Sequence, residues 1–370
     1  MFWYIVILCL MAMPMTFVYV GYSKKINMNR LVIPMCAAVL LFFMACRAIE
    51  IGADTRQYVY GFRQICNIRL LDLFKVRVYG IGGGYELNFE YGYRLFNKLV
   101  SFISTNGQAI TVANSVLIIV LLSTLIKKQS IYPFLSIWLY ITLGIFQTQM
   151  NMSRNAIAIL ICYLAFRYIR EQKLVKYLLC VLLAMTFHTS AILFLPFYWI
   201  SGKLKLTPRL VRRMLIVAIA LGFGFSFIRP YVVSALPFGY GRYFAGNTAK
   251  FESLAVGVFH LLLLLFTWTM TDRSERAKAV DDEIIGVWMF MAEVFFFCVG
   301  YDVSAATRMA ALFGLYLIIL IPNLLAKGIK SDQKRFMAIV MIIVLTAVQY
   351  ILRLRINNIG TTMPYIFFWS

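Results

Sequence analysis

Apolar runs of roughly 15 to 21 residues, where a bilayer span takes about 20, recur along the whole chain. They fall near 2–22, 31–46, 108–126, 131–150, 155–170, 214–228, 253–271, 284–300, 307–326 and 336–352. In lipid every backbone N–H and C=O must find its partner inside the protein, so such runs fold as helices. Charged residues make up 14% of the 370 residues; a soluble domain carries about 25%. The chain therefore reads as a polytopic membrane protein. The first run lacks a basic leader and an A-x-A cleavage site, and reads as a retained first span.

The formal net charge is +21, and the membrane accounts for it without a nucleic-acid partner. Basic residues gather after alternate runs: Lys24, Lys25 and Arg30; Lys127 and Lys128; Arg167, Arg170, Lys173 and Lys176; and later groups around Arg212, Arg276 and Lys334. By the positive-inside rule these loops are cytoplasmic, which puts both termini outside.

That assignment constrains 174–200. Lys176 and Lys203 lie on the same side, so an even number of crossings separates them, yet two full spans do not fit. The expected solution is a pair of short helices meeting at Thr186-Phe-His-Thr-Ser190, with His188 at the floor of a cavity open to the outside. Non-helical backbone at membrane depth survives only where protein or a water-filled cavity surrounds it. Counting this broken or re-entrant pair, about 12 membrane segments are expected in a single all-α integral domain over 1–370.

Three outer segments decorate that domain: a loop over 47–98, a loop over 229–252 and a tail over 353–370. Within the first, Leu95, Phe96, Leu99, Val100 and Ile103 have helical spacing, so an amphipathic helix lying in the interface is expected. The glycines of 80–84 lack the Lys-Ser/Thr of a phosphate-binding loop. No G-x-S-x-G is present, which removes support for serine hydrolase chemistry. Seven scattered cysteines without C-x-x-C suggest neither a zinc site nor a disulfide scaffold, although Cys46 and Cys66 flank the stretch from Arg47 to Phe62.

Fifteen of the 36 Lys and Arg fall outside the basic loops. Arg47, Arg154 and Arg308 sit at the ends of apolar runs, and Arg242 lies in the second outer loop. Arginine is the side chain suited to bidentate phosphate recognition, so these four are the candidate diphosphate ligands. For scattered arginines, snorkelling to lipid phosphates is the simpler reading. Acids are scarcer. Asp54 and Glu90 are candidate catalytic carboxylates and His188 a candidate catalytic imidazole. Asp54 serves equally well as a helix cap or an arginine partner. Tyr58, Tyr91, Tyr240 and Tyr243 are candidate sugar-stacking rings. His260, inside an apolar run, reads as a polar contact between helices. Two distant histidines and no carboxylate cluster call for no metal, and nothing calls for a cofactor.

R-x-x-x-x-G-A-D-T-x-x-Y at 47–58, E-Y-G-Y at 90–93, M-S-R-N at 152–155, F-H-T-S-A at 187–191 and the late Arg308 occur in the order seen in the EpsG/Wzy-type family, which this chain resembles. The family's usual R-Q is replaced here by Arg154-Asn155, so only the arginine is carried over. The resemblance implies a metal-independent glycosyltransferase with a GT-C-like fold in the bacterial inner membrane, its site facing the periplasm. It implies undecaprenyl-diphosphate-linked repeat units as substrates, with the growing glycan passed to the non-reducing end of a new unit. Membrane lipids and a chain-length regulator protein are the implied partners. Alternatives are an O-antigen ligase, which would carry one dominant late outer loop, and a flippase or transporter, which would carry charge along a central path.

Overall fold

The computed structural model describes residues 1–23, 29–200, 207–235, 250–301, 303–356 and 358–370. Among them the secondary structure is helical, with no strand beyond two isolated bridges. The helices at 107–129, 306–328 and 332–356 are long and apolar enough to cross a membrane, and seven shorter apolar helices accompany them. The chain packs as two compact units, Met1–Tyr198 with Leu345–Ser370, and Trp199–Val344.

The first unit contains α1 (Phe2–Ser23), α2 (Asn29–Ala45), α3 (Ala53–Cys66), α4 (Tyr91–Ser101), α5 (Gly107–Gln129), α6 (Pro133–Thr142), α7 (Ile145–Asn151), α8 (Ser153–Arg170), α9 (Leu174–Met185) and the start of α10 (Phe197–Ile200). The second holds α11 (Pro208–Ala235), α12 (Lys250–Met270), α13 (Arg273–Asp282), α14 (Ile284–Val299), α15 (Ser304–Gly314), α16 (Leu317–Gly328) and the first half of α17 (Asp332–Ile356). The second half of α17 packs in the first unit, where Trp138 Nε1 donates to Thr346 Oγ1 at 3.1 Å.

Two expected helices break sharply, and a third, over 307–326, is interrupted at Leu315–Tyr316 between α15 and α16. The run 131–150 divides at Gly144, whose φ of +76° stops α6 and starts α7. The Leu143 carbonyl freed there accepts from Arg353 at 3.1 Å. The run 174–200 breaks at 186–188: α9 ends, His188 is extended, and a 3₁₀ run over Thr189–Phe194 follows.

The stretch expected as a charged loop after Cys46 is largely helix. Thr55, Tyr58, Val59, Phe62 and Ile65 are buried on one side of α3. Its N-terminal N–H groups have no partner within the helix, and distant side chains supply them. Ala53 N donates to Thr361 Oγ1 at 2.7 Å and Asp54 N to Asn151 Oδ1 at 2.9 Å. Gly52 makes this possible with φ +89°; a Cβ there would stand 2.9 Å from Thr55 Oγ1 and 3.0 Å from the Asn151 Cα. We expect Gly52→Ala to lower the stability of the purified protein by about 2 kcal/mol, through left-handed strain and overpacking. A thermal melt in detergent reads it, and an unchanged midpoint would refute the cap.

The tail seals the same region. Ala48 N donates to Ile366 O at 2.9 Å, Phe368 N to Cys46 O at 3.0 Å, and Tyr365 Oη to Phe43 O at 2.6 Å. Cys46 and Cys66 are both free thiols.

Candidate active site

The first unit gathers three of the sequence motifs around one guanidinium. Arg154 opens α8. Its Nη1 donates to Glu90 Oε2 at 2.6 Å and to Asn88 O at 3.0 Å. The rings of Phe89, Tyr58 and Tyr93 surround its Cζ at 4.8, 5.5 and 5.6 Å, an arrangement that favours a desolvated cation. Glu90 precedes α4. Its second oxygen accepts from the backbone N–H of Thr189 at 3.2 Å, just past the break after α9. The two charged side chains are 17% and 14% exposed, so the pair borders solvent without lying open to it.

Burial raises the Glu90 carboxyl above its usual range; Arg154 and the Thr189 N–H oppose that rise without cancelling it. The Tyr58 phenol is pushed up as well, by burial and by the Asp54 carboxylate one helical turn earlier, against the pull of Arg154. Asp54 itself is half-buried in the first turn of α3, where a carboxylate meets the positive end of the helix dipole.

E-Y-G-Y owes its glycine to packing. Tyr93 N donates to Thr186 O at 3.0 Å, and a Cβ at Gly92 would run into the Thr186 hydroxyl. Tyr93 Oη accepts from Asn114 Nδ2 at 3.0 Å. This close approach brings α4 against the end of α9, which sets Glu90 beside Thr189.

The Nδ1 edge of His188 is held by Ser190. This Nδ1 accepts from Ser190 N at 3.2 Å and lies 2.8 Å from Ser190 Oγ, which in turn accepts from Asn155 Nδ2 at 3.0 Å. A backbone N–H can only donate, so Nδ1 is the acceptor and the neutral ring carries its proton on Nε2. In this arrangement the imidazole offers a donor and not a base. Asn155 and Ser190, which sequence reasoning left without a role, thus orient the ring. We expect Ser190→Ala to slow turnover about fivefold, the worth of roughly 1 kcal/mol for one hydrogen bond, and Ser190→Thr to restore it. Equal rates for all three would remove the orienting role.

Arg47 takes a place unlike the one expected for a diphosphate ligand. It is 1% exposed. Its guanidinium donates to the Met44 carbonyl, to Met150 O at 3.0 Å and to Ser115 Oγ at 3.3 Å. Two of these acceptors belong to the C-terminal turns of α2 and α7, where a cation meets the negative helix end. Burial pulls its pKa down to about 10, still far above neutral pH, so the charge stays. We expect Arg47→Ala to cost on the order of 3 kcal/mol in stability, since charge-assisted bonds are lost and carbonyls left bare. Quantitative blotting of membranes should show reduced protein; a normal level would count against the pin.

Tyr58 is 5% exposed and its ring faces Arg154, so no sugar reaches it in this arrangement. Tyr91 is 68% exposed and meets the Phe74 ring in a T-shaped contact, centroids 5.4 Å apart. Arg242, Tyr240 and Tyr243 lie outside the described residues. Arg308 is exposed on α15 of the second unit. In that unit His260 Nδ1 lies 2.7 Å from Glu293 Oε1, both buried. Among the described residues no group of three or more metal-ligating side chains occurs.

Neither a curated protein nor a solved structure matches the chain. A protein-family model does, and it spans every motif of the Arg154 cluster: the chain belongs to the EpsG family, whose model covers residues 30–367.

Proposed function

We propose that this protein is a polysaccharide polymerase that passes a growing glycan from undecaprenyl diphosphate to the non-reducing end of a lipid-linked repeat unit. The reaction belongs at the periplasmic face of the bacterial inner membrane, in a GT-C-type, metal-independent transferase of about 12 segments. The observation that carries this reading is the convergence of Arg154, Glu90 and the Thr189 N–H on one spot, from three segments far apart in sequence.

A carboxylate bound to a guanidinium and a backbone N–H marks a place where an anion fits. An arriving diphosphate competes for those donors and displaces Glu90. The acceptor hydroxyl oxygen then bonds to the anomeric carbon. The carbon–oxygen bond to the diphosphate breaks with its electron pair on the diphosphate, where Arg154 stabilises the charge. The proton leaves the hydroxyl for Glu90, whose raised pKa suits a general base. His188 donates through Nε2 to a sugar or phosphate oxygen, Asp54 holds the charge balance at the end of α3, and Tyr91 offers an open ring to a sugar. Arg308 and Arg242 are proposed as further phosphate ligands. Lipid-linked repeat units, membrane lipids and a chain-length regulator are the proposed partners.

Complementation of a polymerase-deleted strain with its cognate repeat unit tests this reading through the glycan ladder. Wild-type chain restores the ladder; failure to extend any repeat unit would overturn the assignment. Arg308→Ala and His188→Ala each shorten the ladder with protein retained in the membrane, and full ladders from both would remove those residues from the site.

A further inference from the structure

At the end of α5 remote from the Arg154 cluster, a groove of about 1060 Å³ opens between α2, α5 and the start of α6. One wall is Pro34, Ala37, Ala38 and Leu41 of α2; the other is Ile119 and Val120, with Lys127 at the mouth. Small side chains on α2 create the space. Two of its polar members already bond within the protein: Thr124 Oγ1 donates to Val120 O at 2.7 Å, and Ser136 Oγ donates to Ser130 Oγ at 2.7 Å; Ser123 and Lys127 supply the remaining polar lining. What faces the groove is therefore mostly hydrocarbon, between two apolar helices. Water gains nothing there, and an apolar chain does.

The dimensions choose the chain. From Lys127 to Ile119 the groove runs eight residues, about 12 Å at the helical rise. One leaflet of hydrocarbon is about 15 Å deep, half of the roughly 30 Å core. The groove thus begins at headgroup level and ends near the bilayer middle. The mouth chooses the headgroup. Lys127 is exposed, and among the described residues it has no carboxylate partner; Lys128 follows it. A lysine on an apolar stem at this level reaches for a lipid phosphate, and basic pockets between membrane helices recruit anionic headgroups.

We propose that this groove is a binding site for one anionic glycerophospholipid of the leaflet that Lys127 faces, its acyl chain between α2 and α5 and its phosphate on Lys127. The site is independent of the polymerase reading: Asn114, which donates to Tyr93 Oη of the Arg154 cluster at 3.0 Å, and Lys127 are separated by 13 residues of α5, about 20 Å.

The test is native mass spectrometry of the full chain released from nanodiscs of equal phosphatidylglycerol and phosphatidylethanolamine. Wild type is expected to retain one phosphatidylglycerol. Lys127→Gln should lower the preference for phosphatidylglycerol about fivefold, the worth of one lysine at an anionic surface. Ala38→Phe, which fills the groove, should abolish retention of either lipid, and Val120→Phe from the opposite wall should do the same if Ala38→Phe does not fold. Equal retention of the two lipids by wild type, or unchanged retention in both filled variants, would overturn the proposal. Displacement of phosphatidylglycerol by equimolar undecaprenyl phosphate would overturn it in favour of a prenyl carrier.

Discussion

Arg154→Ala abolishes the glycan ladder and leaves a single repeat unit, while membrane levels of the protein hold. The guanidinium is the cation on which the proposed departing diphosphate lands, and removal of one such preorganised donor costs about 10²- to 10³-fold in rate. Arg154→Lys is expected to fare little better. The site is shaped for a flat cation: three rings enclose Cζ, and Nη1 serves a carboxylate and a carbonyl together. A lysine ammonium is a compact point charge that cannot lie flat among the three rings as the planar guanidinium does. A normal ladder from either variant, in a strain where wild type restores one, would sink the role given to Arg154. The contrast with Arg47→Ala is diagnostic, because there the loss falls on protein amount.

Glu90→Gln is expected to be nearly as severe, with a loss of about 10²- to 10⁴-fold for a general base. Glutamine keeps the shape, and its one carbonyl oxygen can still accept from either Thr189 N–H or Arg154, so a merely structural role predicts appreciable residual activity. The pH profile supplies the sharper reading. A base works ionised, so activity falls as pH drops through its pKa. The folded-state value lies above the ordinary 4.5 because burial disfavours the carboxylate. The acid limb of the rate profile must then lie above pH 4.5, and it should vanish in whatever activity Glu90→Gln retains. For stability the sign is opposite to that of a paired surface carboxylate. A raised pKa means the folded state holds its proton more tightly, so this group's contribution is largest below the unfolded value and is lost as pH rises through the folded one. An acid limb at or below 4.5, or one that persists in Glu90→Gln, would assign the proton to another group.

Much of this was legible in the amino acids alone, because it rests on local signals. Apolar runs and the break around His188 follow from what lipid allows a backbone to do. The helix α3 was legible in principle. Thr55, Tyr58, Val59, Phe62 and Ile65 recur at helical spacing, but the charges of Glu50, Asp54 and Arg56 draw the eye to a loop. Other features had no local signal. Glu90 and Arg154 are 64 residues apart, and nothing near either one names the other. Gly144 lies in an apolar run whose composition reads as one span. Arg47 looked like a ligand because it is a charge at a membrane edge; that it turns inward depends on where α2 and α7 end, which only packing decides.

The seam between residues 46–53 and 361–368 has a consequence for how the protein is made. Ala53 and Thr361 meet across 308 positions of the chain. The start of α3, and with it the turn leading to Tyr58 and Arg154, cannot be finished until the ribosome has released the residues up to Phe368. Every earlier helix can enter the bilayer in its turn, yet the region stays unsealed until residues 361–368 have joined it. A chain without residues 361–368 lacks the acceptor for Ala53 N and the strand-like partners of Cys46 and Ala48, so the start of α3 is left open.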